Sequence, residues 1–364
     1  MTWVFPDSNL KWLQDRTLFV TLAGSHAYGT NHPESDEDFR GLVVPPKEYL
    51  LGFVERFEQS VFSEGIDCVI YGLHKFFKLA ADCNPSIIEV LWADESLRVF
   101  SNKKYKKQIE LLMENKDLFI SKKAKHTFSG YAMSQLKRIK LHRKWFLNPP
   151  DKLTRQDFGL QDRPVVPMDF IKSALAAIQK RIDEWEFREL ELLDPATRQV
   201  VMDAMAATLA EIEVGKDEKF MAAGRVLGMN DNWLDILDKE RRYKNAKNER
   251  KQYENWRKNR NPARAEMERK YGLDLKHAVH LVRLLRMCEE ILTTGQVFVK
   301  RPDAEELKAI MQGSMSYEEI LEWAEAQDKK MNELYKISKL PNKPNFKRLD
   351  EICQEITESV LKGN

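Results

Sequence analysis

The chain has 364 residues, of which 43% are apolar and 32% charged, with a mean hydropathy of -0.54. These values exclude a wholly disordered polymer and describe a soluble, helix-rich protein able to bury a sizeable core. Lys plus Arg number 59 against 57 Asp plus Glu, so the net charge of +2 excludes little, and the distribution of charge matters more.

In chain order, Leu18 to Leu22 is a short apolar run ending at Ala23-Gly24-Ser25, and Phe39 to Val44 is another, closed by Pro45-Pro46. Both read as strands. Ile66 to Tyr71 reads as a third strand around Asp67, running into a helix over Leu73 to Ala81. Asn84-Pro85 breaks that helix, and the next starts at Ser86. After Ser101 the pattern is almost wholly helical, with long helices over Ser121 to Lys144 and Asp169 to Glu191. Asn148-Pro149-Pro150 and Arg163-Pro164 lie between them. Lys239 to Lys270 is very polar, a solvated helix or a mobile arm. Leu275 to Thr293, Tyr317 to Gln327 and Phe346 to Leu361 are amphipathic helices, and no fixed-period repeat supports a solenoid.

No apolar run approaches the roughly 18 residues of a membrane-spanning helix. Met1 to Leu10 lacks the basic start and apolar stretch of a signal peptide, so a cytoplasmic location without a membrane partner is expected. Cys68, Cys83, Cys288 and Cys353 are scattered and form no CxxC pair, which excludes a zinc ribbon and fits a reducing compartment.

The stretch from Leu22 to Val44 carries the chemistry. A strand that ends in Gly24-Ser25 and gives way to a short helix leaves backbone N–H groups exposed, where a phosphate binds without a bulky side chain intervening. Asp36 and Asp38 flank Glu37 at the mouth of the second strand. Alternate strand residues share a face, about 7 Å apart along the backbone, and two carboxylates so placed suit hard cations such as Mg²⁺. Asp67 adds a carboxylate from a neighbouring strand, where a buried charge is costly unless paired or bound to metal. Gly-Ser, Asp-x-Asp and an isolated later Asp form the parts of a two-metal phosphoryl-transfer site, with Asp67 also drawing the proton from an acceptor hydroxyl.

These residues resemble the DNA polymerase β-like nucleotidyltransferase superfamily, whose minimal pattern is Gly-Ser, a [DE]x[DE] pair and a third acidic residue. Gly24, Ser25, Asp36, Asp38 and Asp67 match it position for position. More narrowly the chain is similar to the RlaP-like group associated with RNA repair, over Gly24 to Leu42, Asp67 to Leu91, Gly130 to Ile139 and Asn261 to Pro302. Arg188 to Asn259 is largely unmatched. The resemblance implies a small mixed-sheet catalytic core, two Mg²⁺ ions (or Mn²⁺), an NTP donor and a helical region that closes the nucleotide cleft.

Each candidate residue also has a plain structural reading. Asp36 and Asp38 could lie in a solvated loop, Asp67 could face water from an edge strand, and Ser25 could simply cap a helix. His26 fits either a phosphate contact or local packing. Arg40 shares the face of Asp38 and suits either a nucleotide phosphate or neutralisation of the carboxylates. At 100° per residue, Lys276, His280 and Arg283 lie within about 40° of one line, opposite Ala278, Leu281 and Leu285. Such a stripe is a solvated face or a wall for a triphosphate. Arg286, with Glu290 four residues on, reads as structural.

From Arg241 to Lys270, Lys and Arg side chains interleave with Tyr243, Tyr253 and Trp256 and are opposed by four glutamates. Cations neutralise phosphates and aromatics stack unpaired bases, so a single-stranded or tRNA-like RNA partner is expected, against the alternative of a solubilising arm. Lys137, Arg138, Lys140, His142, Arg143 and Lys144 form a weaker cluster.

The expectation is therefore an α+β protein, with a nucleotidyltransferase core over residues 1–100 and a helical region over 101–364 that carries the basic segment 239–270. The expected reaction moves an NMP from an NTP to an RNA hydroxyl and releases pyrophosphate. Asp36, Asp38 and Asp67 hold metal. Gly24, Ser25, Arg40, Lys276, His280 and Arg283 bind nucleotide. The alternatives are nucleotidylylation of a protein hydroxyl and a catalytically silent RNA-binding module. Modification of a small molecule is disfavoured by the basic segment.

Overall fold

A computed structural model describes residues 3–63, 65–164, 166–187 and 216–362. The chain forms two compact units, one built from residues 1–143 and 261–364, the other from residues 144–260.

The first unit holds a five-stranded mixed sheet of β1 (Thr17–Ala23), β2 (Asp38–Val43), β3 (Gln59–Phe62), β4 (Asp67–Gly72) and β5 (Arg98–Ser101), in the order β3-β4-β2-β1-β5. β2 and β4 run parallel, and the remaining neighbours are antiparallel. The single helical turns α1 (Leu13–Arg16) and α3 (Lys47–Leu51) flank the sheet, and α2 (Gly24–Tyr28) follows β1. Then come α4 (Leu73–Ala81), α5 (Pro85–Trp92), α6 (Lys106–Glu114) and the start of α7 (Gly130–Leu147). The chain returns to this unit with α11 (Pro262–Tyr271), α12 (Leu275–Thr294), α13 (Ala304–Met311), α14 (Tyr317–Ile337) and α15 (Phe346–Lys362).

Apolar side chains alternate along the strands, and the sheet is covered on both faces. Leu18, Phe19 and Leu42 pack with Phe76 of α4, Ile88 of α5 and Leu281 and Leu285 of α12 in the larger core. On the other face Val20, Phe39, Cys68 and Ile70 lie beneath Trp3, Phe5 and Trp12. All four cysteines are buried and free.

The capping residues explain where the helices begin. Pro85 opens α5 rather than ending a helix before it, because Asn84 accepts the Ser86 amide and proline is tolerated in a first turn. Asp274 caps α12, taking the amides of Lys276 and His277, and Gly295 closes that helix in the left-handed region. The helix expected from Ser121 starts later. A π-type turn over Lys125–Ser129 leads into α7, and the Ser121 hydroxyl accepts the Lys123 amide in competition with helix formation.

In the second unit α8 (Met168–Phe187), α9 (Lys216–Val226) and α10 (Asp231–Lys258) pack around Ile171, Ile178, Phe220, Ala223, Leu234 and Leu237. The helix expected over Asp169 to Glu191 is present to Phe187, and its last four positions lie outside the described residues. The basic segment is helical, split between the end of α10 and α11. Its aromatics are engaged, contrary to their expected role as base-stacking platforms. Tyr253 is buried, its ring and that of Trp256 lie 6.0 and 5.5 Å from Trp145, and Tyr243 packs on Phe158 at 5.8 Å. Tyr253 and Trp256 lie about 60° apart on the helix and meet Trp145, whereas Tyr243 faces another side and meets Phe158.

Among the described residues no helix is long and apolar enough to cross a membrane.

Candidate functional site

The sheet register assembles the carboxylates. Ala23 pairs with Asp38 across the antiparallel β1–β2 ladder, and Asp38 pairs with Asp67 across the parallel β2–β4 ladder. The last residue of β1 and the first residues of β2 and β4 therefore stand in a row at one end of the sheet. Neighbouring strands are about 4.8 Å apart, which sets Asp38 and Asp67 side by side.

Gly24 follows directly at φ +62°, and a Cβ built there would lie 2.2 Å from Asp38 Oδ2. Only glycine allows the α2 turn to approach the carboxylate this closely. Ser25, half-buried in that turn, lines a cavity of about 1320 Å³ together with Gly24 and Asp36.

Two details differ from the sequence expectation, and a third matches one of the two readings given for Arg40. Asp36 precedes β2 and sits in the loop, because pairing with β1 begins at Asp38, but it lines the same cavity. Asp67 is not a charge inside an apolar strand. It is the first residue of β4, and its side chain is 56% exposed. Arg40 lies 3.0 Å from Asp67 Oδ1 and 3.8 Å from Asp38 Oδ1, so here it neutralises the carboxylates. Burial raises the Asp38 carboxyl above its ordinary range, and Asp67 adds to the rise while Arg40 and Lys276 oppose it.

Two adjacent carboxylates, one partly desolvated and repelled by the other, with a guanidinium between them, are a donor set that fits a hard divalent cation. Asp38 and Asp67 could hold such an ion directly, with Asp36 facing the same space.

α12 forms the opposite wall. Lys276, His280 and Arg283 all line the cavity, as their helical spacing predicts. Their environments differ. Lys276 is exposed and close enough to influence Asp38. Burial, reinforced by the cations Arg283 and Lys276, pushes His280 down to about 3, so its imidazole is neutral at ordinary pH.

Arg283 is buried and already committed. It pairs with Glu89 of α5 and lies 3.8 Å from the Tyr28 ring, while the Tyr28 hydroxyl donates to Glu89 at 2.6 Å. Arg283 therefore ties α2, α5 and α12 together instead of presenting a free charge, though its Nε has no protein partner.

Arg264 of α11 also lines the cavity, and sequence reasoning did not single it out from the basic segment. Its position one helix before Lys276, within the similar stretch from Asn261, was the available signal. His26 packs locally, its Nε2 3.4 Å from the Ser35 carbonyl oxygen. Arg286 is structural through Asp303 and Glu306, since Glu290 is taken by Arg301.

Residues 8–146 match the model of the family described as RlaP, RNA repair pathway DNA polymerase beta family. That span carries the whole sheet, the Gly24-Ser25 turn and the three aspartates, whereas the similar stretch from Asn261 to Pro302 lies outside it. A protein of Enterobacteria phage T4, "Uncharacterized 38.9 kDa protein in nrdC-mobD intergenic region", is 32% identical over 129 residues, covering 33% of this chain and 38% of the relative. The match thus spans well under half of the relative's length. No solved structure matches the chain significantly.

Proposed function

We propose that the protein transfers a nucleoside monophosphate from an NTP to a hydroxyl, with RNA, including tRNA, as the acceptor class. The carrying observation is the Asp38–Asp67 pair beside the Gly24 turn, facing Lys276 and His280 across one cavity. The acceptor oxygen attacks the α-phosphorus, the bond to the β-phosphate oxygen breaks, and pyrophosphate leaves.

In this reading Gly24 and Ser25 hold the β- and γ-phosphates with backbone N–H groups that no Cβ obstructs. Lys276 supplies positive charge and neutral His280 a hydrogen bond. Asp67, the most exposed of the paired carboxylates, takes the acceptor proton. Asp36, Asp38 and Asp67 hold the divalent cations, Mg²⁺ or Mn²⁺, which when bound neutralise the triphosphate and acidify the hydroxyl.

RNA is favoured over a small molecule by Lys244, Lys247 and Lys251 on α10, which make no ion pair among the described residues, although the ring-stacking part of that argument is lost. The test incubates the protein with Mg²⁺ and each α-³²P NTP, alone and with total cellular RNA, and resolves RNA and protein on one denaturing gel. Label on RNA, absent with Asp36→Ala plus Asp38→Ala, is expected. Label on protein would replace the acceptor with a protein hydroxyl. Activity that survives the double substitution would sink the proposed site.

A further inference from the structure

A second cluster of metal-ligating side chains lies in the first unit, apart from the aspartates. His142 of α7 and Asp274 and His277 at the start of α12 offer one ligand atom each, all within 4.8 Å of one another. We propose that these three residues bind a transition-metal ion, Zn²⁺ in the first instance, that pins the start of α12 to α7. The inference is independent of the proposed reaction.

The spacing fits an ion better than a hydrogen bond. His277 Nε2 stands 3.6 Å from Asp274 Oδ2, beyond hydrogen-bond reach. Bonds of about 2.0–2.2 Å to a tetrahedral ion place neighbouring ligand atoms roughly 3.3–3.6 Å apart. The side-chain contacts point the same way. His277 Nδ1 lies 2.8 Å from the Gln135 side-chain amide, which turns the ring so that Nε2 faces Asp274 Oδ2 at 3.6 Å.

The surroundings are those of a built site. Asp274 is 3% exposed and His277 8%. Asp274 Oδ1 is taken by the Lys276 and His277 amides, which leaves Oδ2 directed at the cluster. Arg264 reaches that oxygen at 3.4 Å, a long contact that leaves its second lone pair for a metal. Glu268, also 3% exposed, lies 3.8 Å from His142 Nδ1. Gln135 thus stands as the outer partner of His277, the arrangement that orients a ligating histidine, and Glu268 adds negative charge beside His142.

Two imidazoles and one carboxylate suit Zn²⁺ or Co²⁺, whereas the all-oxygen aspartate set suits Mg²⁺. Three protein ligands leave a fourth position for water. Because Lys276 and Arg264 flank Asp274, an ion here would fix the cationic wall of the cavity without touching substrate.

The test loads chelator-treated full-length protein with Zn²⁺, removes free metal by gel filtration and counts bound zinc by mass spectrometry. Co²⁺ loading is followed by its visible absorption. One zinc per chain and the intense bands of tetrahedral cobalt are expected, unchanged in Asp36→Ala plus Asp38→Ala. Zinc should fall below one-tenth per chain in His142→Gln and in Asp274→Asn, the latter retaining a side chain that caps α12. His142 is at the edge of the cluster, with its side chain 17% exposed, so its variant is the one expected to fold in any case, as circular dichroism would verify. Wild-type protein without bound zinc, or zinc retained in folded His142→Gln, would overturn the proposal.

Discussion

Gly24 shows how one missing carbon shapes the site. A methyl group there would occupy the space of Asp38 Oδ2, at 2.2 Å, and its φ of +62° is unfavourable for any residue with a Cβ. Gly24→Ala is therefore expected to cost about 1–3 kcal/mol of stability and, by displacing Asp38, on the order of 100-fold or more in transfer rate. Parallel urea unfolding and initial-rate measurements check both, and an alanine variant with undiminished rate would refute the close approach as a constraint. The order and spacing of Gly24, Asp38 and Asp67 were plain in the sequence, and the sheet register brings the three together. The reason for the glycine was not, because the atom it avoids is fixed by strand register across the chain. The same limit explains Arg40. Its position two residues after Asp38 was plain, but its choice of Asp67 as closer partner depends on the parallel β2–β4 ladder, which joins segments with β3 between them.

At the scale of the element, α12 was legible and α5 was not. Helical periodicity placed Lys276, His280 and Arg283 on one side of α12, and all three do line the cavity. Nothing in the sequence around Ser86 to Trp92 marked Glu89 as the partner that turns Arg283 inward. It occupies a buried turn of an apolar helix, 9% exposed, and becomes intelligible once Arg283 and Tyr28 are seen against it. Removing one member of a buried ion pair leaves the other uncompensated, a loss of about 3–5 kcal/mol. Glu89→Ala is expected to show that loss in denaturant unfolding. Glu89→Gln, which keeps an acceptor for Arg283, should lose clearly less. Equal losses would mean that the charge of Glu89, rather than its shape or its acceptor oxygen, holds this joint. The aromatics of α10 teach the converse lesson: interleaved rings and cations resemble a nucleic-acid platform in sequence, but Tyr253 and Trp256 fill packing positions.

For the molecule as a whole, the packed cationic wall has a signature in acid. His280 titrates near its ordinary 6.5 when unfolded and at about 3 when folded. Between these values the unfolded chain binds a proton that the folded chain refuses, so folding stability falls as pH drops from 6.5 toward 3. His280→Gln should remove this contribution, with stability falling on the order of 1–2 kcal/mol less between pH 7 and pH 5 than in the parent. Thermal unfolding of both proteins across that range decides it, and parallel curves would show that the fold does not exclude the His280 proton. The α+β division was readable in the first hundred residues. The return of the chain to the first unit at residue 261 was not, because no local pattern announces that Arg264 and Lys276 belong beside residues some 200 positions earlier.

That interrupted layout has a consequence for synthesis. The strand end bearing Gly24, Asp38 and Asp67 leaves the ribosome long before the helix that faces it, separated from it by some 200 residues, among them those of the inserted unit. At about 5–20 residues per second the delay is roughly 10–40 s. Throughout that interval the turn over Lys125–Ser129, with Phe128 buried in the finished fold, lacks the helix that packs on it. The nascent chain therefore carries a temporary apolar surface and an unfinished cavity, so that the protein has a defined window in which chaperones can bind it.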